Sequence, residues 1–172
     1  MPSPRLVYAL TDAAEVDGLR ALRAELDVPT AFPPAVEAVD AEAAARTFAP
    51  CPDRADRRDI PFVTIDPAGS TDLDQAYHAE RTADGYRVHY AIADVAAFVD
   101  LDGPIAAEAL ARGVTLYAPD ARAPLYPTVL SEGAASLLPD GDRPALVWTI
   151  ELGADGTLLG APHFDTQPCL NL

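Results

Sequence analysis

The chain has 172 residues, a hydrophobic content of 49% and a formal net charge of −15. The length suits one domain or part of a larger protein, and the hydrophobic content supports a core, which excludes wholesale disorder. The acidity is unusual for a protein that binds nucleic acid alone, because phosphate binding normally needs a basic surface. Either the partner is not a polyanion, or the basic surface lies outside this chain, or metal ions supply the positive charge.

Cysteine spacing and apolar stretches exclude further classes of protein. Cys51 and Cys169 lie far apart without neighbouring ligand patterns, so neither a disulfide framework nor a zinc site is indicated. The first residues lead into no long apolar run, and no stretch of about eighteen apolar residues follows. We therefore expect a cytoplasmic protein without a signal peptide or a membrane span, and the sequence identifies no protein partner.

The first 58 residues predict a helical segment that ends in a linker. The expected elements are a strand at residues 5–10, a helix from Asp12 to about Leu26, a helix from about Ala35 to Arg46, and a linker at residues 49–59. Glu15 stands three residues after Asp12, which is typical of a capping box. The linker is charged and has no period, so we place a domain boundary near residue 58.

The region from 59 to 172 predicts a mostly antiparallel sheet with packed helices, an α+β fold. Residues 86–93 alternate between two faces, one of them apolar, after the hairpin turn Asp84-Gly85, which indicates a strand paired with the one before it. The expected elements are strands at 62–65, 76–81, 86–93, 114–117, 145–152 and 157–161, helices at 104–112 and 130–138, and a proline-rich loop at 118–127. Residues 164–172 predict no element, and Trp148 is expected in the core.

Three aspartates surround a turn after the first of these strands. Asp66 ends the apolar run, Pro67 and Gly69 turn the chain, and Asp72 and Asp74 follow two residues apart, so their side chains point to the same side of an extended segment. Carboxylate oxygens are the ligands that Mg²⁺ and Mn²⁺ prefer, and a cation would relieve their repulsion. This pattern favours metal-assisted attack of water on a phosphodiester.

A solvated turn is the alternative interpretation of the same residues. Asp, Gly, Ser and Pro are the commonest turn residues, and short motifs recur by chance. On spacing alone the turn is favoured. The aspartates need further support before they are assigned to a metal site.

Further blocks of sequence provide that support, because together they resemble the RNB catalytic domain of the ribonuclease II and ribonuclease R exoribonucleases. The resemblance extends from about residue 59 to 160. It is carried by Pro61-Phe-Val-Thr-Ile-Asp66-Pro-Ala-Gly-Ser-Thr-Asp72-Leu-Asp74, Tyr90-Ala-Ile-Ala-Asp94, Arg112-Gly-Val-Thr-Leu-Tyr117-Ala-Pro, Pro124-Leu-Tyr-Pro127 and Leu130-Ser-Glu-Gly-Ala-Ala-Ser136-Leu-Leu. Several blocks in one order are far more specific than the aspartates alone.

The resemblance implies a hydrolase that degrades single-stranded RNA from the 3′ end to nucleoside monophosphates with Mg²⁺, or with Mn²⁺ in its place. It implies that Asp66, Asp72 and Asp74 are catalytic metal ligands, with Gln75 at the position of a fourth aspartate. It also implies that Tyr117 stacks on the terminal base, which suits an enzyme that accepts any sequence. Without the resemblance, Tyr117 is a half-buried aromatic residue of a strand.

Two departures from the family pattern limit this interpretation. Gln75 offers an amide oxygen without charge, and residues 59–172 resemble only the first half of an RNB domain. We therefore expect a fragment of such an exoribonuclease that is inactive, or nearly so, by itself. The alternatives are a non-catalytic RNB remnant that acts as an RNA-binding or regulatory module, and an acidic globular module unrelated to RNA.

Overall fold

The computed structural model describes residues 13–46, 55–139, 141–165 and 169–171. The predicted strand at 5–10, the cap at Asp12 and most of the predicted linker lie outside these residues. The helices are α1 (Ala13–Glu25), α2 (Pro34–Glu37), α3 (Asp40–Ala44) and α4 (Pro104–Arg112). The strands are β1 (Gln75–Arg81), β2 (Gly85–Ala93), β3 (Leu116–Tyr117), β4 (Arg122–Ala123), β5 (Asp142–Gly153), β6 (His163–Asp165) and β7 (Cys169–Asn171).

An antiparallel sheet with the strand order β1-β2-β5-β6 forms the centre of the fold, and β7 pairs with the beginning of β5. The predicted hairpin is confirmed, since β1 and β2 pair across Asp84-Gly85, with Ala76 opposite Ala91. Strands β3 and β4 form a separate two-stranded hairpin. The α+β class with a mostly antiparallel sheet is therefore confirmed. No helix in the described part of the chain is long and apolar enough to cross a membrane.

The predicted helix from Ala35 to Arg46 is wrong as one continuous element, because α2 and α3 divide it. Val39 lies between them with φ −119° and donates its N–H to the carbonyl of Val36, three residues earlier, at 3.1 Å. This tight turn changes the direction of the chain. As a result Val36 and Ala43 are both buried in the same core.

Three strand predictions also need correction. Of the strand expected at 114–117, only Leu116–Tyr117 is a strand, namely β3. The expected strand at 62–65 is only a bridge between Val63 and Tyr77, because Pro61 and Pro67 have no N–H to extend it. The expected strand at 157–161 is a bridge between Leu152 and Leu158, and Gly160, with φ +87°, then turns the chain.

Elements also occur where the sequence predicted none. Strand β4 lies inside the predicted proline-rich loop, and β6 and β7 lie in the predicted featureless tail. Each has only two or three residues, too few for a periodic signal. The short helix expected at 130–138 is a π-helical turn at Leu130–Ala134.

Two apolar cores hold these elements together. In the first, small residues on one face of the sheet are covered by three larger side chains from the loops, namely Phe62, Leu73 and Leu137. The second joins α2, α3 and α4 to the π-helical turn through residues such as Val36, Ile105 and Leu130. Trp148 was predicted in the core but is half-buried on the other face of the sheet, where its ring lies 4.5 Å from that of Phe164.

We predict that Leu137→Ala lowers the free energy of unfolding by about 2–5 kcal/mol, because Leu137 is fully buried in the first core and its truncation leaves a cavity. Leu110→Ala is the matched control, since Leu110 is 84% exposed on α4 and its loss should change stability by less than about 0.5 kcal/mol. Urea unfolding followed by circular dichroism measures both. Equal midpoints for the two variants would show that the first core does not depend on Leu137.

Candidate active site

The three predicted aspartates line one cleft with a volume of about 510 Å³. Its walls come from the loop before β1, the end of β2, the β3–β4 hairpin and the π-helical turn. The residues that contribute charged or hydroxyl groups to the walls are Asp66, Ser70, Asp72, Asp74, Thr115, Tyr117, Arg122, Tyr126, Ser131, Glu132 and Ser136. The structure thus brings together Asp66, Asp72, Asp74 and Tyr117.

The loop between Asp66 and Asp72 turns through Gly69, which has φ +89°, a conformation that favours glycine. The turn is closed by the N–H of Ser70, which donates to the carbonyl of Pro67 at 3.0 Å. The Pro/Gly turn expected from the sequence is therefore present. It reverses the chain so that Asp66 and Asp72 reach the same cleft.

The segment that carries Asp72 is fixed by the buried Ser136. The Ser136 hydroxyl donates to the carbonyl of Thr71 at 2.7 Å and accepts the N–H of Leu73 at 2.9 Å. The N–H of Leu137 donates to the carbonyl of Leu73 at 2.7 Å. Backbone groups on both sides of Asp72 are thus held by the two residues Ser136 and Leu137, which follow the π-helical turn, and the side chain of Leu73 enters the first core.

The far end of this segment is held by the sheet. The N–H of Ala93, the last residue of β2, donates to the carbonyl of Asp74 at 2.9 Å. Asp74 is exposed at this point. Its carboxylate is therefore open to solvent while its backbone is tied to the central sheet.

Tyr117 and Arg122 lie opposite each other on the β3–β4 hairpin and both reach Asp72. The Tyr117 hydroxyl and Arg122 Nη1 each donate to Asp72 Oδ2 at 3.4 Å. Arg122 Nη2 also donates to Glu132 Oε1, and Thr71 Oγ1 donates to Glu132 Oε2 at 2.9 Å. Sequence reasoning missed both Arg122 and Glu132, because the first lay in an expected loop and the second in an expected helix.

The charges in the cleft keep the Tyr117 hydroxyl neutral and Arg122 protonated. Burial raises the pKa of Tyr117 above its usual value near 10, and the Asp72 carboxylate raises it further. Hydrogen bonding to Glu132 raises the pKa of Arg122. Arg122 is thus a basic side chain in a cleft that is also lined by the acidic residues Asp66, Asp72, Asp74 and Glu132.

Gln75, which occupies the position of the expected fourth ligand, is exposed as the first residue of β1 and does not line the cleft. Its partner across the sheet is Ile92. Side chains alternate along a strand, so Gln75 points away from the face on which Ala76 enters the first core. The structure therefore places Gln75 beside the aspartates but does not bring it among them.

The donor atoms of the cleft suit a hard cation, but no metal-binding group is preassembled. Three aspartate carboxylates on one open cleft are the ligands that Mg²⁺ prefers. Within residues 13–46, 55–139, 141–165 and 169–171, however, no three His, Cys, Asp or Glu side chains are grouped closely enough to hold a metal ion. Asp72 instead pairs with Arg122.

The histidines form a separate feature. His78 and His89 face each other across β1 and β2, with nearly parallel rings whose centroids lie 6.3 Å apart, and Thr149 and His163 continue the row across β5 and β6. The Nδ1 atom of His89 lies 3.1 Å from Thr149 Oγ1, and burial lowers the pKa of this histidine. The row lines a second cavity, which Asp66, Asp72 and Asp74 do not line.

We predict that Ser136→Ala lowers the free energy of unfolding by about 1–3 kcal/mol, because the buried N–H of Leu73 loses its acceptor. Hydrogen exchange at Leu73 should accelerate as well. Ser131→Ala is the control, since the Ser131 hydroxyl makes only 3.4 Å contacts with carbonyls and should contribute less than about 0.5 kcal/mol. A Ser136→Ala protein as stable and as protected as the Ser131→Ala protein would contradict this account of the loop.

Comparison with known proteins identifies the RNB family over most of the part of the chain that forms the sheet and the cleft. The RNB domain model matches residues 54–166. Ribonuclease R of Acidithiobacillus ferrooxidans is 42% identical over 107 residues, which are 62% of this chain and 24% of that protein. Exoribonuclease 2 of Edwardsiella piscicida is 43% identical over 100 residues, which are 58% of this chain and 16% of that protein.

The fold is also similar to solved structures of Mycoplasma genitalium RNase R. Structures in complex with double-stranded RNA and with ribose methylated single-stranded RNA each give a TM-score of 0.80 at 25% identity. Each match covers 91% of this chain, but only 28% and 24% of the respective solved chains. The chain therefore spans about a quarter or less of the length of these relatives.

Proposed function

Because the chain belongs to the RNB domain family, we propose that it carries the metal site and the terminal-base site of an exoribonuclease. The proposed reaction is Mg²⁺-dependent hydrolysis of single-stranded RNA from the 3′ end to nucleoside monophosphates, with Mn²⁺ as a possible substitute. The observation that carries the proposal is the convergence of Asp66, Asp72, Asp74 and Tyr117 on one cleft. The named relatives are a ribonuclease R and an exoribonuclease 2, and RNase R of Mycoplasma genitalium has been solved with RNA.

The aspartates would hold the cation, and a bound cation would stabilise the attacking water and the leaving oxygen of the phosphodiester. Asp74 is suited to this role because its carboxylate is exposed and its backbone is tied to Ala93. The backbone on both sides of Asp72 is also fixed, but its carboxylate would have to exchange its hydrogen bonds with Tyr117 and Arg122 for a bond to the cation. Gln75 lies beside the three, and its role as a fourth ligand remains a prediction.

Tyr117 would stack on the base at the 3′ end. The side chain is mostly exposed on the edge of the cleft, so one face of the ring is open to a ligand. Stacking tolerates any base, because every base has a π-face. The hairpin position sets the ring next to Asp72, where the terminal phosphodiester would meet the carboxylates.

A non-catalytic RNA-binding module is the second candidate. It is favoured by the pairing of Asp72 with Arg122 in place of a preassembled metal group among the described residues. The two candidates differ in metal binding and turnover, while both predict RNA affinity. We expect residues 1–172 by themselves to show little or no turnover, since they span about a quarter or less of the length of the named relatives.

We predict that Mn²⁺ binds the chain and that Asp74→Asn weakens binding about tenfold or more, because the variant removes one charged oxygen ligand. Asp84→Asn is the matched control, since Asp84 lies in the β1–β2 turn and does not line the cleft. Electron paramagnetic resonance of free Mn²⁺ gives the dissociation constants. Identical constants for the wild-type, Asp74→Asn and Asp84→Asn proteins would rule out the metal-site assignment.

We predict that Tyr117→Ala reduces affinity for a linear single-stranded RNA by roughly 5- to 150-fold, because stacking on one base contributes about 1–3 kcal/mol. Tyr117→Phe keeps the ring and should retain most of the affinity. An RNA circle of the same length, which has no 3′ end, should be insensitive to Tyr117→Ala. Fluorescence anisotropy measures the affinity of the wild-type chain and of both variants for the linear and the circular RNA. Equal losses on linear and circular RNA would contradict recognition of the terminal base.

A further inference from the structure

Arg122 is the only basic side chain that lines the cleft among the described residues. Asp66, Asp72, Asp74 and Glu132 line the same cleft, so its walls carry more negative than positive charge. An RNA phosphate that enters this cleft would meet strong repulsion unless cations offset it. The position of the Arg122 guanidinium therefore affects where a polyanionic ligand can bind in this cleft.

The guanidinium of Arg122 is held between two carboxylates. Nη2 donates to Glu132, and Glu132 is itself fixed by the Thr71 hydroxyl at 2.9 Å. Nη1 lies 3.4 Å from Asp72 Oδ2, which is a long hydrogen bond and easier to exchange. The group is thus anchored firmly on the Glu132 side and loosely on the side that faces the aspartates.

Arg122 is also aligned with Tyr117. The two residues are paired across β3 and β4, and both reach the same oxygen of Asp72. A base that stacks on Tyr117 would place its own sugar-phosphate within the space between Tyr117, Arg122 and Asp72. The Arg122 side chain is 36% exposed there, so it is accessible to a ligand.

A role in stability alone explains the position of Arg122 less well than a role in ligand binding does. Exposed ion pairs typically contribute about 0–1 kcal/mol to stability, and Arg122 pairs with partners that are themselves partly exposed. A guanidinium suits this role better than an ammonium group does, because its planar set of N–H donors lets Nη2 stay on Glu132 while Nη1 donates to a phosphate oxygen. The loosely held side of Arg122, at Nη1, faces the cleft, where a phosphate oxygen would arrive.

We propose that Arg122 binds a phosphate of the RNA chain next to the base that stacks on Tyr117, with Glu132 holding the guanidinium in place. A phosphate oxygen takes the position of Asp72 Oδ2 at Nη1, and the carboxylate of Asp72 is released toward Asp66 and Asp74. This inference rests on the proposed function, because it needs RNA as the ligand of the cleft.

The test is the salt dependence of RNA binding by the 172-residue chain, measured by fluorescence anisotropy with a labelled single-stranded RNA. Arg122→Met should lower affinity by about 10- to 100-fold, as expected for lost charge-assisted hydrogen bonds. It should also reduce the slope of log K against log salt by about 0.7, the value for one phosphate contact on a single strand. Arg122→Lys should keep the slope and recover part of the affinity.

Arg81→Met is the matched control. Arg81 lies over the Tyr86 ring at 5.0 Å at the far end of β1 and does not line the cleft, so its removal should leave affinity and slope unchanged. Circular dichroism should show an equally folded Arg122→Met protein.

Three outcomes would overturn the inference. Wild-type affinity and slope in Arg122→Met would overturn the inference alone and leave the proposed function standing. Equal losses in Arg122→Met and Arg81→Met would overturn it as well, because they would show diffuse charge attraction. A wild-type chain without RNA affinity would overturn both proposals.

Discussion

The hydroxyl of Ser136 connects the fold to the cleft. It bonds to backbone groups on both sides of Asp72 and is itself buried under the first core, next to Leu137. The loop before β1 has no strand partner over most of its length, so without these bonds Asp72 would stand on an unsupported segment. A hydrogen bond to a buried backbone group is costly to lose, because the group left behind has no water to replace the partner. The position of the aspartate therefore depends on the packing of the π-helical turn.

The second constraint is electrostatic. The chain carries a net charge of −15, and the described walls of its cleft contain four carboxylates and one arginine. Such a cleft repels phosphate unless cations enter it. The net negative charge, which is unusual for a protein that binds nucleic acid, is therefore compatible with RNA binding when metal ions are bound in the cleft. Arg122 offsets part of the charge without a metal ion, because it pairs with both Asp72 and Glu132. The cleft is thus partly neutralised by the protein itself.

The sequence predicted the parts of the fold that have local signals. The β1–β2 hairpin follows from Asp84-Gly85 and the alternation after it, and α4 follows from Pro104 and from Gly113, which has φ +75°. The division between α2 and α3 and the strands β4, β6 and β7 depend on tertiary contacts, which a single sequence does not reveal. In the cleft, Asp66, Asp72, Asp74 and Tyr117 could be predicted from the sequence, because they lie in the aspartate motif and in the ordered blocks that resemble the RNB domain. No sequence motif indicated Arg122 and Glu132, because their hydrogen bond joins the β3–β4 hairpin to the π-helical turn, and only the folded chain brings these two elements together.

The most direct test of the account is the location of a bound paramagnetic ion. Substoichiometric Mn²⁺ added to isotopically labelled chain should broaden the amide signals of Thr71 to Asp74 and of Tyr117 first, because all of these lie on the cleft or next to it. The signals of Tyr86 and of the histidine row should persist. Preferential broadening around His78 and His89, or uniform broadening without a centre, would contradict the claim that the three aspartates form the metal site.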